Sequence, residues 1–268
     1  MILALLISLL VALFWLYHFR KLDKYEREPD RLILLTFFAG VLATVPSILL
    51  EIPFQVRLQS SLPPVTQLVG YFLWVGLVEE SFKFLAVRLT AYRSREFNEV
   101  MDGMIYMISA ALGFAATENV GYLLGLGLSV WFLRAILSYL GHVSFSAILG
   151  YYLGRAKMEG RNSLLWLGFL LSVSLHCLYD FFLVAGHFNK SGFLVLLGAL
   201  VWMVGLLLTL ILARKAQAVS PFRATHLLPK RLTRLCGTCG KRVPVRVPIC
   251  HHCRTPLVPE EEEITLKA

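Results

Sequence analysis

Apolar residues run along this chain in long blocks separated by short charged stretches, the pattern a bilayer imposes on helices that cross it. Seven blocks have the length: roughly Ile2–Tyr17, Leu32–Leu50, Thr66–Leu89, Gly103–Gly127, Val130–Gly154, Ser163–Gly186 and Ser191–Ala213. The pattern predicts an all-α polytopic membrane protein of about seven transmembrane helices. The first block lacks a basic leading segment and a small-residue cleavage site, so it reads as a span and not as a signal peptide. The stretch Glu51–Pro64 carries Pro53, Pro63 and Pro64 and reads as an irregular outer connection or a short surface-lying helix. No internal repeat stands out that would suggest an inverted-repeat transporter.

Charge gives the blocks a direction. Arg20, Lys21, Lys24, Arg27 and Arg31 follow the first block, Arg88, Arg93 and Arg95 the third, Arg155, Lys157 and Arg161 the fifth, and Arg214 and Lys215 the seventh. All fall on one side; the other has only Arg57, Arg134 and Lys190. Lys and Arg mark the cytoplasmic side, which places the N-terminus outside and the C-terminal tail in the cytoplasm of a multi-pass cell-membrane protein. Composition agrees. Of 268 residues, 57% are hydrophobic and 16% charged, against about 25% charged in an ordinary soluble domain. That excludes disorder and a single soluble core. The net charge of +9 sits mostly beside the spans, so it reads as loop charge and argues against nucleic acid as a partner.

Ionisable residues inside the blocks are costly and therefore mark function. The third block has Glu79, Glu80 and Lys83, the fourth Glu118 and Asn119, the fifth His142, and the sixth His176 and Asp180. At 1.5 Å per residue, Glu79 lies roughly 20 Å from the outer end of its block, and the histidines lie at similar depth. Together they form a polar slab near the midplane that implies a shared, hydrated cavity. Lys83 is i+4 from Glu79 and i+3 from Glu80, so one ammonium reaches either carboxylate. His176 and Asp180 are i,i+4 on one face, which lets the carboxylate orient the imidazole or share a ligand. Four carboxylates and one Lys carry about −3 if all are ionised, untenable in a low dielectric. Either a divalent cation sits among them, or some stay protonated. Both arrangements support hydrolysis, by metal-activated water or by a glutamate base with a histidine stabilising the oxyanion.

Plainer readings apply to the neighbours. Asn119 and Ser146 read as packing or supporting groups, Asp102 as a helix N-cap, and Arg134 as a residue that snorkels to the interface. Asp180 or His142, taken singly, would pass for helix–helix hydrogen-bond partners.

The run Glu79-Glu80-x-x-Lys83, the block from Asp102-Gly103 through Gly113-Phe114-x-x-x-Glu118-Asn119, the fifth-block His142, and His176-x-x-x-Asp180 resemble the PrsW intramembrane proteases. That family is placed in a superfamily with the CAAX prenyl endopeptidases. The resemblance covers the third to sixth blocks. It implies a protease that cuts a membrane-anchored protein, such as a single-span anti-sigma factor, from the outer face. It also implies that Glu79 and Glu80 activate water while Glu118, His142 and His176 complete the site, with Lys83, Asn119 and Asp180 in support. A catalytic divalent metal would draw its ligands from His142, His176 and Glu118. The reading from a different class is a non-proteolytic sensor or scaffold, or a proton- or cation-coupled transporter.

The resemblance does not reach the C-terminal segment. There the sequence divides into a membrane domain over 1–214, a basic linker over 215–232, a cysteine module over 233–256 and an acidic end over 257–268. Cys236-x-x-Cys239, ten residues, then Cys250-x-x-Cys253 is the spacing of a zinc ribbon closed by four thiolates. Gly237 and Gly240 suit its tight turns. Four thiolates leave no open position, so this zinc is structural.

Overall fold

The computed structural model describes residues 1–58, 69–70 and 72–257. Among these, six helices are long and apolar enough to cross a membrane. They are α1 (Ile2–Phe19), α2 (Asp30–Leu58), α4 (Val100–Leu126), α5 (Trp131–Glu159), α6 (Asn162–Phe188) and α7 (Gly192–Val219). The sequence pattern predicts about seven; six are found among the described residues. The third apolar block gives instead a π-helical turn, Phe72–Gly76, leading into the shorter helix α3 (Leu77–Thr90). Glu79, Glu80, Lys83 and Arg88 crowd that helix with charge, and residues 66–68 of the block lie outside the described residues.

The centre of the bundle is α4, 94% of whose spanning window is buried, followed by α5 at 72%, whereas α7 is only 17% buried. Small residues make this possible. Ala110, Ala111, Ala115 and Ala116 of α4 are all buried, and its glycines let neighbouring backbones touch. A Cβ on Gly103 would strike the Gly150 carbonyl of α5, and one on Gly113 the Phe37 carbonyl of α2. Close backbone approach of this kind drives association where lipid competes for apolar surface. The outer helices keep large apolar side chains exposed, among them Leu10, Leu42 and Leu196, as a lipid-facing surface requires.

Three expectations change at the level of the elements. The segment from Glu51 begins as the end of a long helix, neither an irregular connection nor a separate short one: α2 runs through Pro46 and Pro53 to Leu58, and residues 59–64 lie outside the described residues. Asp102 is not the N-cap of α4. Glu99 is, and Asp102 at the third helical position closes a reciprocal capping box by accepting from the Glu99 backbone N–H at 2.7 Å. The last long helix continues past the expected start of the linker at 215 to Val219.

Beyond α7 lie a five-residue helix, α8 (Arg223–Leu227), and an antiparallel hairpin of β1 (Thr233–Leu235) and β2 (Arg242–Pro244) in the register Thr233↔Pro244. The Sγ atoms of Cys236, Cys239, Cys250 and Cys253 all lie within 4.8 Å of one another. Each pair sits in the same kind of turn: Gly240 N–H donates to the Cys236 carbonyl, and Arg254 N–H to the Cys250 carbonyl. Gly240 and Arg254 both have positive φ, 69° and 59°. This module rests on the end of the bundle where α1 ends and α2 begins. Lys241 Nζ and His252 Nδ1 lie 2.8 and 2.6 Å from Glu26 Oε1, and Gln217 donates to the Leu22 carbonyl at 2.8 Å.

Candidate active site

Four helices bring the polar slab together. Helix α3 supplies Glu79, Glu80 and Lys83, all buried. Lys83 reaches both carboxylates at once: its Nζ donates to Glu79 Oε2 at 2.9 Å and Glu80 Oε1 at 2.8 Å. Helix α5 supplies His142 and helix α6 His176, whose rings meet edge to face with centroids 5.3 Å apart.

Each histidine has one nitrogen on a carboxylate and the other turned toward Glu79. Lys83, an ammonium with no acceptor, donates to His142 Nδ1 at 2.9 Å, so that nitrogen is unprotonated and Nε2–H donates to Glu118 Oε2 at 2.7 Å. His176 Nδ1 pairs with Glu80 Oε1 at 3.0 Å, and its Nε2 lies 3.4 Å from Asp180 Oδ2. His142 Nδ1 and His176 Nε2 also each stand 3.6 Å from Glu79 Oε2.

That triangle fits a divalent ion. Glu79, His142 and His176 each offer a ligand atom within 4.8 Å of the others. Ligand atoms at about 2.0–2.1 Å from a tetrahedral zinc stand about 3.3 Å apart, close to the spacing seen. The carboxylates on the far ring nitrogens are the usual support for histidine ligands. Lys83 shares this space, so an ion there would take over the Lys83 contacts to Glu79 and His142. Its bond to Glu80 remains available.

Glu80 differs from its neighbour. It is fully buried and accepts from Lys83, Ser146 at 2.8 Å and Ser172 at 2.9 Å, besides facing His176. Glu79 instead lines a cavity of about 1010 Å³ together with Glu118, His142, His176 and Asp180. The cavity extends to Leu126 and His187 at the ends of α4 and α6, so it opens away from the cysteine module.

Three contributors are absent from the sequence reading, or mistaken in it. Arg134 does not snorkel away. Its guanidinium lies over the Tyr122 ring at 3.5 Å, donates to Asn119 Oδ1 at 2.5 Å, and reaches Glu118 Oε1 at 3.4 Å. It adds a second cation to a slab counted with one. Glu51 is buried on α2, accepts from Ser47 at 2.7 Å and lines the cavity. Ser172 holds Glu80 from α6. A charge near a block end gives Arg134 and Glu51 an ordinary appearance, and only the i+4 step from Ser172 to His176 hints at a shared face.

The family model described as "PrsW family intramembrane metalloprotease" matches residues 28–211, an interval containing every one of these groups. The chain belongs to the PrsW family. Among its relatives, the protein named Protease PrsW from Geobacillus kaustophilus is 37% identical over 172 residues, 63% of this chain and 75% of that one. The Protease PrsW of Clostridioides difficile is 32% identical over 216 residues, 75% of this chain and 86% of its own length. That of Bacillus subtilis is 34% identical over 173 residues, covering 63% and 78%. No solved structure matches. This PrsW-family chain is therefore a membrane-embedded protease, which sets the sensor and transporter readings aside. Its surroundings are lipid and its substrate is a protein embedded in the membrane. The family match ends before the cysteine module, which stands outside the shared protease.

Proposed function

We propose that this protease hydrolyses a peptide bond of a membrane-anchored, single-span protein of the anti-sigma-factor kind, admitted through the end of the cavity remote from the cysteine module. What carries the reading is the convergence of Glu79, His142 and His176 on the cavity floor, inside a chain of this family. These three would hold a divalent ion, and the family's description as metalloproteases supports that assignment. Such an ion, when bound, acidifies water and polarises a carbonyl. The chain's own groups prepare the place. Glu118 fixes the His142 ring and its tautomer, and Glu80 does the same for His176. Lys83 keeps two adjacent carboxylates together at a depth where neither would persist alone. Asp180, on the open side of His176, faces the cavity and would receive or return a proton at the leaving group. Asn119 sustains the Arg134 contact that steadies Glu118. In the tail, Cys236, Cys239, Cys250 and Cys253 would hold a structural zinc as a closed four-thiolate site.

Comparative proteomics of membranes with and without the protein is expected to find a truncated single-span product. Glu79→Gln, in protein of normal abundance, is expected to lower cleavage by at least about 10²-fold. Normal processing by that variant would remove the site assignment. Metal analysis of the active chain ended at Ala218, which lacks the cysteines, tests the ion by itself. About one equivalent of divalent metal and loss of activity on chelation are expected. Chelator-insensitive activity without metal would leave the protease reading standing and transfer water activation to glutamate alone.

A further inference from the structure

Between Arg214 and Leu257 the chain carries ten Lys or Arg and no Asp or Glu. Lys241 pairs with a carboxylate of the membrane domain, at Glu26. Lys230, Arg231, Arg242 and Arg246 are exposed. Interleaved with them are apolar side chains that the module does not cover: Leu227, Leu232, Leu235 and Ile249 are 68%, 47%, 62% and 49% exposed. This mixture begins at Leu227, eight residues past Val219, the end of a membrane-crossing helix. The Glu26 latch and a 2.6 Å contact between His226 Nε2 and the Tyr25 carbonyl hold it against the bundle.

We propose that this segment is a membrane-surface module, whose arginines, lysines and exposed leucines bind the anionic lipid headgroups of the leaflet from which α7 emerges. A cluster of cations beside a span attracts anionic headgroups. Apolar side chains among those cations gain by entering the boundary between headgroup and acyl chain. The same residues suit nucleic acid poorly. Phe222 is the sole Phe, Tyr or Trp between Ser220 and Leu257, and it is buried, so the segment offers no exposed Phe, Tyr or Trp for bases to stack on. Helix α8, at five residues, is too short to read a groove. The proposal does not depend on the catalytic reading, and its test does not measure cleavage.

The zinc-loaded full chain is placed in nanodiscs of neutral phosphatidylcholine, with or without phosphatidylglycerol, and amide hydrogen exchange is followed over residues 223–254. Phosphatidylglycerol is expected to slow exchange there on the order of ten-fold, with no change inside α4. Raised salt should abolish the effect in the unaltered chain. So should combined Arg231→Gln, Arg242→Gln and Arg246→Gln substitution in protein that retains its zinc. Equal exchange in both lipids overturns the proposal. A single-stranded oligonucleotide that protects these amides in neutral discs, where phosphatidylglycerol fails to, overturns it in favour of nucleic acid. Protection already present in neutral discs and lost on ending the chain at Leu257 would name the acidic end, Glu260–Glu263, as the occupant instead.

Discussion

Glu118 stands between a histidine and an arginine, and the two contacts have different consequences. Its bond to His142 Nε2, at 2.7 Å, chooses the tautomer that turns Nδ1 toward Glu79, while Arg134 holds the carboxylate from the other side. Under the proposed mechanism Glu118 is a positioning residue. Glu118→Gln is expected to lower kcat about 10–100-fold with KM little changed, because the amide offers the ring a weaker, ambiguous partner. Arg134→Gln should fall in the same direction. Cleavage kinetics in proteoliposomes check both, and a rise in KM at normal kcat would assign Glu118 to substrate binding. The residues that bear this chemistry were mostly legible in the sequence. Glu79, Glu80, Lys83, Glu118, His142, His176 and Asp180 are conspicuous because ionisable groups inside apolar blocks are costly. Arg134 and Glu51 were not, since a charge near a block end is ordinary there. Which carboxylate faces the cavity was also illegible. Glu79 and Glu80 are adjacent, and only the packing of α5 and α6 encloses one and exposes the other.

The helices depend on contacts that no apolar pattern announces. Gly103 of α4 and Gly150 and Gly154 of α5 abut, and a Cβ on Gly150 would come within 2.8 Å of Met104 Cα. The two helices carry Glu118 and His142, so the glycine contact sets their separation. Gly150→Ala is expected to cost about 1–3 kcal/mol through overpacking, read as a lower unfolding temperature in detergent, with reduced cleavage. Gly121→Ala, whose Cβ meets nothing within 4 Å, should change stability by no more than about 0.5 kcal/mol. Equal losses would show that the Met104 contact does not set the cost at Gly150, since helix propensity favours Ala at both sites. The blocks themselves were readable to within a few residues for most helices. Their ends were less so: prolines are tolerated within spans, so α2 passes through Pro53, and the charged third block shortens to α3. The cysteine spacing gave the paired turns of the tail, but not their docking on Glu26, a contact between segments 215 residues apart.

Taken whole, the molecule separates its chemistry by end. The proposed catalytic groups face a cavity that opens at one end, and a second collection of acids lies at the other, beneath the cysteine module. Burial lifts Asp23 to about 7 and lifts Glu28 and Glu99 to about 8. Among the described residues, Asp23 Oδ1, Glu99 Oε2 and the neighbouring Asp102 Oδ1 meet no hydrogen-bond donor, which suits protons on this cluster. Glu26 goes the other way: burial works to raise it, but hydrogen bonds from His252, Lys241 and Asn98 hold it below its ordinary value. A carboxyl raised in the folded state binds its proton more tightly folded than unfolded. Its contribution is therefore complete below the ordinary carboxylate value and is lost as pH rises through the folded one. For Asp23, Glu28 and Glu99 that loss accumulates from the ordinary carboxylate range upward and is complete by about pH 7 to 8. The Glu26 contribution changes only in acid, outside this window. Amides of residues 23–28 and 96–99 are thus expected to exchange progressively faster from pH 5 to 9, after correction for intrinsic rates, while the interior of α4 stays protected. Glu99→Gln should flatten part of that dependence, because the amide carries no proton to lose. Glu118 lies nineteen residues beyond Glu99, roughly 28 Å along the helix, so loosening at this end should leave the catalytic geometry in place. Protection that stayed constant or grew with pH would show that these acids are ionised when folded, and that the cluster is held by something other than shared protons.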